Sequence, residues 1–290
     1  MISEKYIKQI EDVLNNEKII KYDLLQISFN IACLKFEISN NKKYIVKFFI
    51  ERNNKFNAIK SEINNLTYLN KKFKFFPKVV KSNDNFLIME YLENDNDKPD
   101  STNIDFLESI VKIHSVSNRQ YGFGFNTQIG AIKQINNFEN NWVYFYSNYR
   151  LNDILEIANK RINLGKVINK KILLILNNMK NLIPSNPKPL LLHGDLWEGN
   201  ILFKKNKFVG FIDPGSFFGH SEMEVAYLRW FNPPFVDINF LDKYNDKILL
   251  DKDYLNYEPI YQLYYALCNV ALWDSSYIKE VKKLLDKIKL

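Results

Sequence analysis

The sequence predicts an α+β protein of two lobes, a small antiparallel-sheet lobe followed by a larger, mainly helical one. Three observations predict it. Short apolar runs with strand-like alternation crowd into the first 92 residues. Helical periodicity dominates after residue 100. Between them lies Glu93-Asn94-Asp95-Asn96-Asp97-Lys98-Pro99-Asp100, a polar, proline-containing break and a natural boundary. The division is therefore 1–92 and 93–290.

The first lobe opens with apolar Ile7, Ile10, Val13 and Leu14 at helical spacing, which predicts a helix over 3–15. Strands follow over 22–29 and 31–38, with Asn40-Asn41 marking the next turn. Residues 44–49 form a third strand, apolar except for Lys47. A helix over 55–71 carries Ile59, Ile63, Leu66 and Leu69 on one stripe. Residues 77–80 and 86–92 complete the sheet. In the second lobe helices are predicted over 104–116, 166–182 and 277–288. The apolar stretch from Ile260 to Trp273 contains Gln262 and Asn269 and is too short for a bilayer, so it reads as a buried helix.

The 290 residues suffice for one catalytic unit with a substantial core, and 46% hydrophobic with 15% aromatic residues fits a folded globular chain. The polar start at Met1-Ile2-Ser3-Glu4 does not read as a signal peptide. Cys33 and Cys268 stand far apart without paired spacing, which suggests a reducing, cytoplasmic compartment and no cysteine metal site. Cys33 reads as a small strand residue rather than a redox thiol. The net charge of +7 comes from lysines spread along the chain, so neither a nucleic-acid nor a membrane partner is expected. The excess positive charge would help to collect an anionic nucleotide.

The chemistry concentrates in Leu191-Leu192-His193-Gly194-Asp195-Leu196-Trp197-Glu198-Gly199-Asn200-Ile201-Leu202-Phe203. Two strands flank a loop holding an acid and, five residues later, an amide. The next run, Phe208-Val209-Gly210-Phe211-Ile212, delivers a second acid, Asp213. Phosphoryl transfer needs such a set: one carboxylate to take the hydroxyl proton, and hard oxygen donors to hold magnesium against phosphates.

His-Gly-Asp-Leu-x-x-x-Asn followed by Ile-Asp resembles the protein-kinase-like phosphotransferases that act on small molecules. Asp195-Leu196-Trp197-Glu198-Gly199-Asn200 and Ile212-Asp213-Pro214-Gly215-Ser216-Phe217-Phe218-Gly219-His220 resemble the fructosamine kinase, or ketosamine kinase, family more narrowly. Gly122-Phe123-Gly124-Phe125, Asn141-Trp142-Val143-Tyr144-Phe145 and Tyr261-Gln262-Leu263-Tyr264 fit the same likeness, in the same order. The resemblance spans about 24–285. It implies the kinase-like bilobal fold, ATP and Mg²⁺ as cofactors, and a free or protein-bound ketosamine phosphorylated on a sugar hydroxyl, the 3-hydroxyl, in deglycation. An aminoglycoside- or choline-type phosphotransferase and a nucleotide-binding pseudokinase are the alternatives. Trp197, Gly199 and 217–220 speak against the first, and intact Asp195, Asn200 and Asp213 against the second.

By this resemblance Asp195 is the catalytic base, and Asn200 and Asp213 are the metal ligands. His193 holds the loop rather than acting as a base, and His114, His220, Glu222 and Glu224 are architectural. Lys47, alone on an apolar strand, needs a partner for its ammonium. ATP phosphates supply one in the kinase pattern, with Glu62 on the following helix steadying the head and Glu51 as a weaker rival. Backbone groups at Glu90 and Leu92 would meet the adenine edge. Trp197 would wall the acceptor pocket. The family's glycine-rich turn is missing: Leu25-Gln26-Ile27-Ser28-Phe29-Asn30 has no glycine, so Ser28 and Asn30 are the candidate phosphate donors.

Overall fold

The computed structural model describes residues 4–14, 17–52 and 56–290. The expected helix limits at residues 3, 15 and 55 lie outside them. Strands β1 (Ile19–Ser28), β2 (Ile31–Ile38), β3 (Lys43–Phe49), β4 (Val79–Ser82) and β5 (Phe86–Glu90) form one sheet in the order β1-β2-β3-β5-β4, every neighbouring pair antiparallel. β1 starts three residues before its expected position and ends one short. Phe29 and Asn30 both take positive φ, 54° and 62°, so the chain turns there instead of extending.

Period-two alternation divides the sheet's side chains. Leu34, Phe36, Val46, Phe48 and Ile88 pack under helix α1 (Glu4–Val13), where Ile10 joins them. Lys47 and Cys33 are cross-strand partners, and both line the cavity between the lobes. Helix α2 (Ala58–Leu69) is capped by Asn57, whose side chain accepts the Lys60 N–H at 2.9 Å. Ile59, Leu66 and Leu69 of α2 join the second lobe's core.

The second lobe holds α3 (Ile104–His114), the hairpin β6 (Thr127–Ile129) and β7 (Ile132–Gln134), α4 (Trp142–Tyr146), α5 (Asp153–Arg161) and α6 (Gly165–Asn178). Next come β8 (Leu190–Leu192), β9 (Ile201–Lys204), β10 (Lys207–Phe211), β11 (Phe217–Gly219), α7 (Ser221–Phe231), α8 (Phe240–Asn245), α9 (Tyr254–Leu272) and α10 (Ile278–Lys287). β9 and β10 form a hairpin, while β8 pairs with β11, so the two stretches of the catalytic string are joined at their far ends. The stretch read as a buried helix is the core of α9, buried from Tyr257 to Leu272. Among the described residues no helix is long and apolar enough to cross a membrane. This is an α+β fold with a small antiparallel-sheet lobe and a larger helical lobe.

Candidate active site

The carboxylates and amide of the catalytic string converge on one cavity of about 180 Å³, which Lys47 and Glu62 line from the sheet side and Asp195, Asn200 and Asp213 from the helical side. A larger groove of about 930 Å³, beside the Arg229–Glu258 ion pair, contains none of these groups.

Lys47 Nζ donates to both oxygens of Glu62, at 2.8 and 2.9 Å, and to Asp213 Oδ1 at 2.5 Å. Burial alone would discharge the ammonium; the Asp213 and Glu62 carboxylates outweigh it and hold Lys47 charged. Burial pushes the Glu62 carboxyl upward against the pull of Lys47. Glu62 is thus the lysine's partner rather than Glu51. Asp213 has φ +56°, a left-handed conformation that non-glycine residues hold only when their surroundings enforce it. The enforcement is visible: Gly215 N donates to His193 O at 2.9 Å, and Ser216 N to Asn65 Oδ1 at 2.9 Å.

The catalytic loop is tied down from three sides. Glu224 of α7 accepts the N–H groups of His193 at 3.0 Å and Gly194 at 2.7 Å, and its Oε2 also meets His114 Nε2 at 2.9 Å. His193 is buried and its pKa lowered by loss of hydration. A neutral ring with its proton on Nε2 satisfies both neighbours: Nε2 donates to Ile212 O at 3.0 Å, and Nδ1 accepts the Asp195 N–H at 3.3 Å. It is therefore a strut, as expected. From the first lobe's exit segment Lys98 Nζ donates to the carbonyls of Glu198 at 2.8 Å and Ile201 at 2.6 Å. Sequence reading missed Lys98; its signal was a lone lysine beside proline in a stretch otherwise acidic and amide-rich.

Asp195 is partly buried. Loss of hydration first, and the negative Asp213 second, push its carboxyl up to about 8. A hydrogen bond from Tyr227, whose hydroxyl lies 3.4 Å from Asp195 Oδ1, works the other way. Tyr227 was also missed. Its signal was the spacing of three from Glu224, which puts both on one face of α7. Asn200 donates Nδ2 to the Asp195 carbonyl at 2.8 Å. That commits the amide nitrogen and leaves Oδ1 as the atom that would be available to a cation. One carboxylate and one amide oxygen suit magnesium, which completes its shell with phosphates and water.

Trp197 is partly exposed and packs on Phe231, ring centroids 5.5 Å apart. A Cβ at Gly199 would stand 2.3 Å from the Trp197 ring, so glycine is what lets the indole lie flat there. Its aromatic partner Phe231 belongs to helix α7 of the helical lobe, and Trp197 also lines the cavity between the lobes.

The other candidates fall differently. Ser28 lines the cavity, but Asn30 does not: it occupies the left-handed turn, and its carbonyl accepts the Ile50 N–H at 2.8 Å. Asn30 is a turn former here. Glu90 and Leu92 also lie outside this cavity. The Glu90 N–H donates to Lys78 O at 2.9 Å, and Leu92 packs closely over Gly210. Cys33 lines the cleft, and burial pushes its thiol up to about 12, which suits a small wall residue and not a reactive thiolate.

The profile of the fructosamine kinase family matches residues 4–290. The chain belongs to this family. A candidate ketoamine kinase of Enterococcus faecium is 31% identical over 202 residues, 69% of this chain and 71% of that one. A protein-ribulosamine 3-kinase of rice, subspecies japonica, is 28% identical over 205 residues, 69% of this chain and 58% of that one. The solved structure of a candidate fructosamine-3-kinase from Thermobifida fusca superposes with a TM-score of 0.87 over 99% of both chains at 21% identity, a shared fold. As a fructosamine kinase family member the protein is a phosphotransferase of the kinase type with an alcohol group as acceptor.

Proposed function

We propose that the protein transfers the γ-phosphoryl group of ATP to a sugar hydroxyl of a ketosamine, the 3-hydroxyl, as a step in deglycation. The observation that carries this reading is the meeting of Lys47–Glu62–Asp213 with Asp195 and Asn200 in one cleft of a fructosamine kinase family chain. In this reading Asp195 takes the hydroxyl proton and aims the oxygen at the γ-phosphorus. Lys47 grips the α/β-phosphates while Glu62 keeps its head from swinging. Asn200 Oδ1 and Asp213 would hold magnesium, whose positive charge also offsets the charge on the phosphates. Ser28 is the side-chain donor of the glycine-free turn, and Trp197 the acceptor wall.

The strand end at Glu90 and Leu92 receives the adenine edge through backbone groups, and the segment 93–100 is the hinge between lobes. The rice relative acts on protein-ribulosamine by its name, so protein-bound as well as free adducts belong on the substrate list. The test is coupled ADP release over ribulosamine, erythrulosamine, fructosamine, choline and aminoglycoside acceptors, with the product's phosphate located by NMR. Turnover confined to choline or an aminoglycoside, or phosphate on another oxygen, refutes the assignment. A cytoplasmic location is tested by fractionation.

A further inference from the structure

The cleft holds an aromatic group that the assignments above leave unused. α9 ends at Leu272, and Trp273 stands just past it with 51% of its surface exposed, in the same cavity as Asp195. Its backbone is held in place. Arg161 at the end of α5 donates Nη1 to the carbonyls of Ala271 at 2.7 Å and Leu272 at 2.9 Å, and Nη2 to that of Trp273 at 2.7 Å. Those carbonyls lack intrahelical partners, and a cation is favourable there. The chain thus secures a large aromatic ring in a place where water still reaches it.

The ring meets Phe29 at the tip of the β1–β2 turn, centroids 5.2 Å apart. Phe29 sits at φ +54°, a costly conformation for a bulky residue. Gly130, in the β6–β7 turn, makes room beneath: a Cβ there would stand 2.9 Å from Leu272 Cδ1 and 3.5 Å from the Phe29 ring. Strand register places this group at one end of the cleft. Tyr44 pairs with Glu90, Lys47 with Leu87, and Phe49 with Ile31. The Phe29 turn therefore lies beyond Lys47 on the side away from Glu90. A nucleotide gripped by Lys47, with its base at the Glu90 end, points its terminal phosphate toward Phe29 and Trp273.

We infer that Trp273 is an acceptor-specificity residue which, with Phe29 and Trp197, encloses the acceptor's sugar ring over Asp195. This rests on the ketosamine reading above. A sugar ring offers apolar C–H faces and a polar rim. Flat aromatic walls pack on the faces and leave hydroxyls at the edge, where Asp195 can reach one.

The test is steady-state kinetics in each substrate for Trp273→Ala, Trp273→Phe, Trp273→Leu and Phe29→Ala, beside melting curves. Trp273→Ala should raise the acceptor KM about tenfold, the equivalent of ~1.4 kcal/mol, with the ATP KM within about twofold. Trp273→Phe, which restores a flat face, should recover most of the loss. Trp273→Leu keeps apolar bulk without that face; it should behave like the alanine variant and serves if alanine prevents folding. Phe29→Ala should raise the acceptor KM in the same direction. An unchanged acceptor KM overturns the inference. So does an equal rise in both KM values with a lowered Tm, or full recovery by leucine; these would make Trp273 a clasp between lobes. If wild type ignores ketosamines but phosphorylates another sugar, the functional reading fails alone, and the same KM comparison with that sugar still decides the role of Trp273.

Discussion

Replacing Glu224 by Gln keeps the shape of the side chain and removes its charge. In the native site one oxygen accepts the Gly194 N–H at 2.7 Å; the other accepts the His193 N–H at 3.0 Å and meets His114 Nε2 at 2.9 Å. An amide has one oxygen, so whichever way it is turned its NH₂ faces at least one buried N–H donor. Leaving such a donor unsatisfied costs ~1–3 kcal/mol, and hydrogen bonds to a charged group are each worth ~1.5–3 kcal/mol. The expected loss is about 2–4 kcal/mol of unfolding free energy, read by urea titration. Because the orphaned N–H belongs to the loop that aims Asp195, kcat at saturating ATP and acceptor should fall about ten- to hundred-fold as well, as misplaced catalytic groups do. pH supplies a sign test. Burial alone would raise the Glu224 carboxyl; the hydrogen bond and charge of His114, with the backbone donors, reverse this and hold it below the usual 4.5. A depressed carboxyl stabilises fully above its unfolded pKa, and that contribution disappears as pH falls through the folded one. The gap between wild type and the Gln variant should therefore narrow as pH falls below 4.5. A variant within about 0.5 kcal/mol of wild type, with kcat intact, would show that Glu224 does not anchor the loop.

Asp195→Asn should lower kcat by about 10²–10⁴-fold while nucleotide affinity stays nearly unchanged; activity within a few-fold of wild type would remove Asp195 from the role of base. Asp213→Ala should abolish magnesium-dependent ATP binding in calorimetry, and unchanged affinity would place the metal elsewhere. Trp197→Ala should cut acceptor kcat/KM by about ten- to hundred-fold and spare the ATP KM; equal damage to both substrates would count against a pocket wall. With its carboxyl pushed up to about 8, Asp195 should make kcat/KM for ATP rise with pH through that region, and Tyr227→Phe should move the rise to higher pH by removing the hydrogen bond that opposes the shift. A pH profile identical in the two proteins would exclude Tyr227 as a partner of the base.

The local elements and the identity of the chemical groups were legible in the chain. Alternating apolar residues define β2 to the residue, and one lysine in an otherwise apolar strand marks Lys47, because a buried ammonium demands a counter-charge. The string from His193 to Asp213 offers a candidate set because acid, amide and second acid lie close along the sequence. What the chain alone left open depends on contacts between distant segments. Asn30 and Ser28 look equivalent in sequence, yet only folding shows one spent on a left-handed turn and the other facing the cleft. The glycine between Trp197 and Asn200 has a visible reason only once the indole lies across it. Lys98, Tyr227 and Trp273 each gain meaning from a partner more than thirty residues or a whole lobe away: the carbonyls beside Asn200, the carboxylate of Asp195, the ring of Phe29. Sequence periodicity reports which face of an element is apolar, and motif spacing reports which groups stand on one loop. Which faces then meet, and how much water remains between the charges they carry, is decided by packing in three dimensions, and with it the pKa of Asp195 and the shape of the acceptor site.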